Sequence, residues 1–318
     1  AQHQSTIAGE RAAQVEKWTA IAYKLRPKSL ALLRSLPAAN QKILLRGEKL
    51  GEFFHVFLFE AMLREIGDPD HKYPEAMARG LNVVGAVQES GAWAKDPDTE
   101  RCRARLTVDA FVAGAWEFRA KLASYFRMDE YSDTIYTNTI KERDLGFCEG
   151  PFLSEADVTK HFTDSKTKNP DNWKPMRRFG VPQKGSIRGV DDAAENDANA
   201  TSSRTEKLET SSVDMIVSMI RTWITISGAD CDLGAWAMDE YKAYRQIAVQ
   251  PDQRRYSVVA VVNPNRGPIS GRPEPRLEYF VMNGHCFGFT NAVYNYNRRP
   301  RALNEILIRE FLIPTVFY

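Results

Sequence analysis

Apolar residues recur at intervals of three and four from the start of the chain to about residue 145, the spacing of a helix that buries one face. The predicted helices are Val15–Arg26, Leu45–Ile66, Val108–Phe126 and Tyr131–Leu145. Their aromatic residues also lie at helical spacing, which favours core packing over a cofactor site. No catalytic cluster is visible in this part of the sequence, so residues 1–145 are predicted to form an α-helical N-terminal region.

Shorter segments replace the helical pattern beyond residue 146. Ser154 is predicted to cap a helix, with Asp157 three residues later. Phe179–Gln183 and Gly185–Arg188 read as two short strands joined by a turn. Glu206–Ile226 is predicted to be an amphipathic helix that packs against the core. The buried stripe of this helix would consist of Val213, Ile216, Val217, Ile220, Trp223 and Ile224.

Two strands and a helix complete the predicted elements. The β-branched content of Arg254–Val262 predicts a strand, and Arg276–Met282 would return beside it after a turn rich in Gly and Pro. Asn291–Arg309 is predicted to be a helix that Pro300 kinks or breaks. Helices followed by paired strands indicate an α+β fold.

The stretch Met238–Val249 has the most distinctive pattern. Apolar residues Ala235–Met238 lead directly into Asp239, and the next turn places Tyr241 and Tyr244 on one helical face. This pattern predicts a carboxylate at the end of a buried strand, where burial disfavours the charged form unless a cation or hydrogen bonds compensate. A metal ion is one such compensation. The alternative is that Asp239 caps the following helix.

Charge is informative through its distribution. The net charge of +2 is too small to argue for a polyanionic partner. Cations are concentrated, however, between residues 166 and 188, in a segment that is either a solvated face or an anion-binding device. These cations are Lys166, Lys168, Lys174, Arg177, Arg178, Lys184 and Arg188. Asp191 and Asp192 are adjacent and would point to opposite sides of a strand, so we expect them to pair with the local Arg and Lys side chains.

The four cysteines (Cys102, Cys148, Cys231 and Cys286) lie far apart, which fits reduced thiols in an intracellular compartment better than a disulfide framework or a zinc site. No stretch approaches ~20 uncharged apolar residues, so no membrane partner is expected.

Four blocks of the sequence, in this order, resemble the reverse transcriptases (RNA-directed DNA polymerases) of retroelements, of the protist (dinoflagellate-like) type. Trp173–Gly180 and Lys184–Asp192 resemble the two finger strands. Asp239–Ile247 resembles the first catalytic palm motif. The segment from Phe287 to Leu303 resembles the Pro-Phe-Gly loop and the helix that follows it. The resemblance covers about residues 146–318.

The resemblance implies right-hand polymerase fingers over 146–227 and a partial palm over 228–318, with no thumb. It implies RNA-templated DNA synthesis on a primer 3′-hydroxyl by a two-metal mechanism. Asp239 would bind both Mg²⁺ (or Mn²⁺) ions, assisted by the backbone carbonyl of Glu240. The implied partners are an RNA template, a DNA primer and deoxynucleoside triphosphates.

The resemblance also assigns roles around the incoming nucleotide. Lys184 and Arg188 would meet the triphosphate, to which the planar fork of Arg is well suited. Tyr244 matches the aromatic steric gate that excludes a 2′-hydroxyl. Phe287 and Gly288 would line the nucleotide and template side, where Gly lets the backbone approach closely. The candidates for backbone phosphate contacts are Arg177, Arg178, Arg298 and Arg301.

Several features depart from the family pattern. The second palm motif, an aromatic residue followed by x-Asp-Asp, would come directly after Tyr318. Other differences are Gly189 in place of Pro, His285-Cys286 in place of Leu-Pro, and Pro300 inside the last helix. We therefore expect no polymerase activity from these 318 residues alone. The alternative is a non-catalytic nucleic-acid-binding remnant of such a polymerase. A third reading, an RNA-templated RNA polymerase, is disfavoured by the gate residue Tyr244.

Overall fold

A five-stranded mixed sheet lies at the centre of the computed structural model, which describes residues 2–46, 53–228, 234–265 and 277–317. The strands are β1 (Cys148–Phe152), β2 (Met176–Gln183), β3 (Ser186–Asp191), β4 (Val258–Val262) and β5 (Leu277–Met282). Their spatial order is β1-β5-β4-β2-β3. The predicted α+β class is confirmed, whereas its subdivision into fingers and palm stays a prediction.

The hairpin β4–β5 is the most buried part of the sheet. The two strands pair antiparallel, with Ala260 opposite Tyr279, and every residue of both is buried. Both faces of the hairpin are covered: Val259 and Phe280 pack into one hydrophobic cluster, while Val258 and Val281 pack into another. Burial on two sides explains the continuous β-branched run that predicted these strands.

The hairpin β2–β3 carries the basic segment. Its strands pair antiparallel up to Gln183 opposite Ser186, and the two turn residues Lys184 and Gly185 have φ of 44° and 79°. Positive φ at both central residues is the turn geometry that matches strand twist in a two-residue hairpin. β2 also pairs parallel with β4. The sheet therefore crosses the predicted boundary between residues 227 and 228.

Helices surround the sheet. The N-terminal ones are α1 (Gln2–Ser35), α2 (Ala38–Leu44), α3 (Val56–Glu65), α4 (Tyr73–Arg79), α5 (Val108–Ala113), α6 (Ala115–Tyr125) and α7 (Ser132–Asp144). Gly114 divides the predicted helix Val108–Phe126 into α5 and α6. The predicted helix Leu45–Ile66 is confirmed only over α3: residues 45, 46 and 53–55 are not helical, and residues 47–52 lie outside the described residues. The other two predicted N-terminal helices are confirmed.

Three α-helices follow the N-terminal region: α8 (Glu155–Asp164), α9 (Val213–Ser227) and α10 (Thr290–Arg309). The predicted cap of α8 is confirmed, since the Ser154 hydroxyl accepts a hydrogen bond from the Asp157 amide at 3.2 Å. α10 is continuous through Pro300, so the predicted break is wrong. Buried ion pairs made by Arg298 and Arg301, on either side of Pro300, anchor the helix to the body of the protein.

Helix α9 differs most from its prediction. It begins at Val213 rather than Glu206, and none of its residues is buried. The predicted buried stripe is wrong, because its apolar side chains are at least partly exposed, with Ile220 46% and Trp223 42% exposed. The spacing identified the apolar face correctly, but nothing in a helical pattern specifies which element covers that face.

The exposure of α9 has a measurable consequence. Ile220→Ala should change the free energy of unfolding by less than about 1 kcal/mol, because little buried area is lost and Ala favours the helix. The matched control is Ile306→Ala in α10, where the side chain is only 4% exposed and truncation should cost about 2–5 kcal/mol. Urea unfolding of the two variants makes the comparison. Equal losses would show that α9 packs against the core.

Candidate functional site

Three aromatic side chains from two distant parts of the sequence meet beside the hairpin β2–β3. The Tyr244 and Phe287 rings lie edge to face with centroids 4.6 Å apart, and the Tyr296 ring lies 4.9 Å from Tyr244. Tyr244 belongs to the 3₁₀ helix Ala243–Gln246, Phe287 to the loop before α10, and Tyr296 to α10 itself. All three are partly exposed, so they form an aromatic surface that solvent reaches. We call this set the aromatic floor.

A cation from the hairpin lies over the aromatic floor. The Arg188 guanidinium is 4.0 Å from the centroid of Phe287, and its Nη1 donates to Gln183 Oε1 at 3.3 Å. Burial raises the pKa of the Tyr244 phenol, and the charge of Arg188 opposes that rise. Lys184 is exposed at the hairpin tip. Arg188 therefore faces a surface suited to planar or cationic groups, with its remaining donors available to an anion.

Asp239 does not lie at the end of a buried strand, so that prediction is wrong. Residues 234–240 have no regular secondary structure, and Asp239 is exposed along with Trp236 and Met238. Glu240 is largely buried and pairs with Arg299 at 3.1 Å. Burial, with a smaller contribution from the nearby Glu240 carboxylate, raises the pKa of Tyr296 to about 12. The segment that carries Asp239 thus meets the aromatic floor through Glu240.

The predicted metal ligands do not form a complete set. Within the ranges that the structure describes, no group of three or more His, Cys, Asp or Glu side chains lies close enough together to hold a metal ion. A hard divalent cation takes about six oxygen ligands and a two-metal centre needs bridging carboxylates. The resemblance assigns only the Asp239 carboxylate and the Glu240 carbonyl to the metal ions, so a two-metal centre would need further oxygen ligands.

Gly288 is required by the protein's own backbone. Its φ is +105°, and a Cβ added there would lie 2.0 Å from the carbonyl oxygen of Asp191. The close approach predicted at Gly288 therefore exists, but it is to the end of β3. The contact places the Phe287 loop against the strand that carries Arg188, which brings these two side chains together.

Two of the predicted phosphate-binding arginines are instead structural. Arg298 forms a two-point ion pair with Asp70 (2.8 and 2.6 Å), and Arg301 forms one with Asp68 (2.9 and 2.8 Å). Both arginines are buried and their charges are already paired, which argues against the phosphate contacts predicted for Arg298 and Arg301.

Arg178 is likewise buried and paired. Its guanidinium donates to Asp191 at 2.6 Å and to Glu142 at 3.1 Å, which argues against the phosphate contact predicted for it. Arg177 is partly exposed but pairs with Asp192 at 3.5 Å and Glu195 at 3.0 Å. The prediction that Asp191 and Asp192 pair with local arginines is confirmed.

Sequence reasoning missed Glu142 and Arg245, which complete this buried network. Arg245 donates to Glu142 at 3.2 Å and to Asp191 at 3.1 Å. Burial opposes the ionisation of Glu142, but Arg245, Arg178 and Lys242 outweigh it and hold the pKa of this carboxyl well below its ordinary value. The network joins α7, the hairpin β2–β3 and the segment that carries Tyr244.

His285 also has a structural position. It is fully buried, and its Nδ1 lies 3.0 Å from the carbonyl oxygen of Ile247, which can only accept a hydrogen bond. Nδ1 therefore carries the proton and Nε2 accepts from Asn295 at 2.9 Å. Burial lowers the pKa of His285 to about 4, so the imidazole is neutral at physiological pH. This contact ties α10 to the segment that carries Tyr244.

Cys102, Cys148 and Cys286 are buried free thiols, and Cys231 lies outside the described residues. Burial raises the pKa of Cys148 and that of Cys286 to about 12, which makes both of them poor nucleophiles. No helix in the described part of the chain is long and apolar enough to cross a membrane.

Comparison with models of protein families, with curated proteins and with solved structures finds no match to this chain.

Proposed function

We propose that this chain supplies the fingers and part of the palm of a retroelement RNA-directed DNA polymerase, and that it binds a deoxynucleoside triphosphate between Arg188 and the aromatic floor. One observation carries the proposal. Arg188, Tyr244 and Phe287 come from three separate sequence blocks, each of which resembles the same enzyme family, and they lie together in the fold. Three blocks that resemble one enzyme family thus contribute neighbouring side chains, as a shared nucleotide site requires.

The chemistry of the three side chains fits such a ligand. The Arg188 fork has donors for phosphate oxygens, and Lys184 at the hairpin tip adds an exposed positive charge. The Tyr244 and Phe287 rings offer apolar surface to a sugar and a base. Tyr244 would exclude a ribose 2′-hydroxyl by its bulk. The RNA template and DNA primer belong to the same proposal, as partners in the synthesis carried out by the parent polymerase.

Calorimetric titration of the 318-residue chain with dTTP and with UTP, in magnesium buffer, tests the proposal. dTTP should bind more tightly than UTP, and Arg188→Ala should weaken dTTP binding about tenfold or more by removing charge-assisted hydrogen bonds. Tyr244→Ala should bring the two affinities to within about twofold of each other. The matched control is Arg79→Ala, an exposed arginine of α4 paired with Glu75. No dTTP binding by the unmodified chain, or equal losses in Arg188→Ala and Arg79→Ala, would contradict the proposal.

The second candidate is a nucleic-acid-binding remnant without chemistry. It is favoured by the exposure of Asp239 and by the incomplete ligand set around it. If this candidate is correct, single-stranded RNA should bind through the exposed hairpin cations, with an affinity that depends strongly on salt. The chain should then not discriminate between dTTP and UTP. Asp239→Asn should also leave RNA affinity unchanged. Fluorescence anisotropy with a labelled RNA at several salt concentrations makes the measurement.

A further inference from the structure

The Glu142 carboxylate pairs with three cations from two different parts of the fold. Its side chain is only 9% exposed and lies near the end of α7. Oε1 accepts from Lys242 at 2.9 Å, and Oε2 accepts from Arg178 at 3.1 Å and Arg245 at 3.2 Å. Arg178 belongs to the hairpin β2–β3, whereas Lys242 and Arg245 flank Tyr244. One carboxylate of the N-terminal region therefore holds both the hairpin and the segment that carries Tyr244.

The backbone at Lys242 is strained. Its φ of 55° and ψ of 33° place this residue in the left-handed region, which a lysine adopts at a cost. Lys242 is the residue at which the segment with Asp239 and Glu240 turns into the 3₁₀ helix with Tyr244. The ion pair with Glu142 is the contact that ties the Lys242 side chain down in this conformation. A change in the backbone conformation of Lys242 would therefore reorient both Asp239 and Tyr244.

Arg245 extends the same arrangement to the rest of the site. Beyond Glu142, it donates to Asp191 at 3.1 Å and to the His285 carbonyl at 2.7 Å. Asp191 ends β3, the strand of Arg188, and its carbonyl oxygen packs against Gly288. The hydrogen bonds of Arg245 thus connect Glu142 to the strand of Arg188, to the segment of Tyr244 and to the loop of Phe287.

We propose that Glu142 is a positioning residue for the nucleotide site: it sets the left-handed turn at Lys242 and the placement of Tyr244 relative to Arg188. The identity of the ligand rests on the proposed function, but the positioning itself concerns the protein alone. The α-helical N-terminal region accordingly forms part of the site through α7.

Hydrogen–deuterium exchange tests the positioning without any nucleotide. Lys242→Ala removes the ion pair, whereas Lys242→Asn also removes it but introduces a residue that favours the left-handed region. The Lys242 side chain is partly exposed, so both variants should fold. We expect amide exchange over 243–247 to become about tenfold faster in Lys242→Ala and to stay within about twofold of the unmodified chain in Lys242→Asn. Equal exchange in the two variants would overturn the proposal.

A second pair of variants tests Glu142 itself. Glu142→Gln should accelerate exchange over 243–247 and in β3 by more than in β4, whose amides report global unfolding. The matched control is Glu149→Gln in β1, a carboxylate that also pairs with two cations, Lys42 and Arg254, but contacts neither segment. It should leave the ratio of exchange at 243–247 to exchange in β4 unchanged. If amide exchange became faster by the same factor in all segments of both variants, Glu142 would only stabilise the fold as a whole, and the proposal would be overturned.

The nucleotide supplies the last readout. Glu142→Gln should narrow the preference for dTTP over UTP at least about threefold, and Lys242→Asn placed in the same chain should restore part of it. If Glu142 only stabilised the fold, Lys242→Asn would not restore the preference for dTTP. If the unmodified chain binds no dTTP, the proposed function fails, while the exchange measurements still decide the positioning. If dTTP binds but Glu142→Gln does not change the preference for dTTP over UTP, the positioning role of Glu142 is overturned and the proposed function stands.

Discussion

Asp70→Ala is expected to lower the free energy of unfolding by about 3–5 kcal/mol, one of the two largest effects we predict for a single substitution. Asp70 is the only carboxylate that the structure pairs with Arg298, among the residues it describes. The Arg298 side chain is 1% exposed, so removal of the Asp70 carboxylate leaves a buried guanidinium without a counter-charge. The pair joins the loop before α4 to α10, across more than 200 residues of sequence. Chemical denaturation at neutral pH measures the loss.

Two companion variants separate this explanation from simple loss of a contact. Adding Arg298→Met to Asp70→Ala should recover at least about 1 kcal/mol, since a buried ion pair replaced by apolar groups is far less destabilising than one that is broken. Glu75→Ala, which breaks an exposed pair within α4, should cost less than about 0.5 kcal/mol. Absence of any recovery in the double variant would mean that backbone packing around Asp70, rather than the charge of Arg298, accounts for the loss.

The sequence predicted those features that local patterns determine. The hairpin β2–β3 follows from alternation with a Lys-Gly turn, and the hairpin β4–β5 follows from β-branched runs around a turn. The α7 helix follows from its apolar spacing. The resemblance assigns Arg188, Tyr244 and Phe287 to one nucleotide site, which stays a prediction. In the structure the Phe287 ring contacts both Arg188 and Tyr244.

Features that depend on distant partners were not predictable. An arginine-rich helix shows its charge in the sequence, but nothing near Arg298 or Arg301 reveals that Asp70 and Asp68 neutralise them. The apolar residues before Asp239 have strand composition, yet strand burial requires neighbours that composition does not specify. The same reasoning applies to α9, whose apolar face was recognised while its exposure was not. Glu142 was missed because a lone glutamate in a polar helix resembles a solvated residue.

The burial of His285 has a physical consequence, which is the second large effect we predict. Its pKa in the folded chain is about 4, below the ordinary value of 6.5, because burial disfavours the imidazolium. The unfolded chain therefore binds a proton more readily than the folded chain between pH 6.5 and 4. Stability is fully present above pH 6.5 and falls as the pH decreases through this window, by about 1.4 kcal/mol per pH unit and about 3 kcal/mol in total.

His285→Gln should remove most of this pH dependence, because the amide keeps hydrogen-bonding capacity but does not titrate. The measurement is the free energy of unfolding in urea at pH 7, 6, 5 and 4. His161→Gln is the control: the pKa of His161 is also lowered by burial, but its side chain is 17% exposed, so a smaller part of the slope should disappear. Glu142 and Asp191, whose pKa values lie below their ordinary ones, contribute mainly at lower pH. If the slope of the unfolding free energy against pH is unchanged in His285→Gln, the imidazole is charged in the folded chain. The neutral His285 that hydrogen-bonds to both Ile247 and Asn295 would then be ruled out.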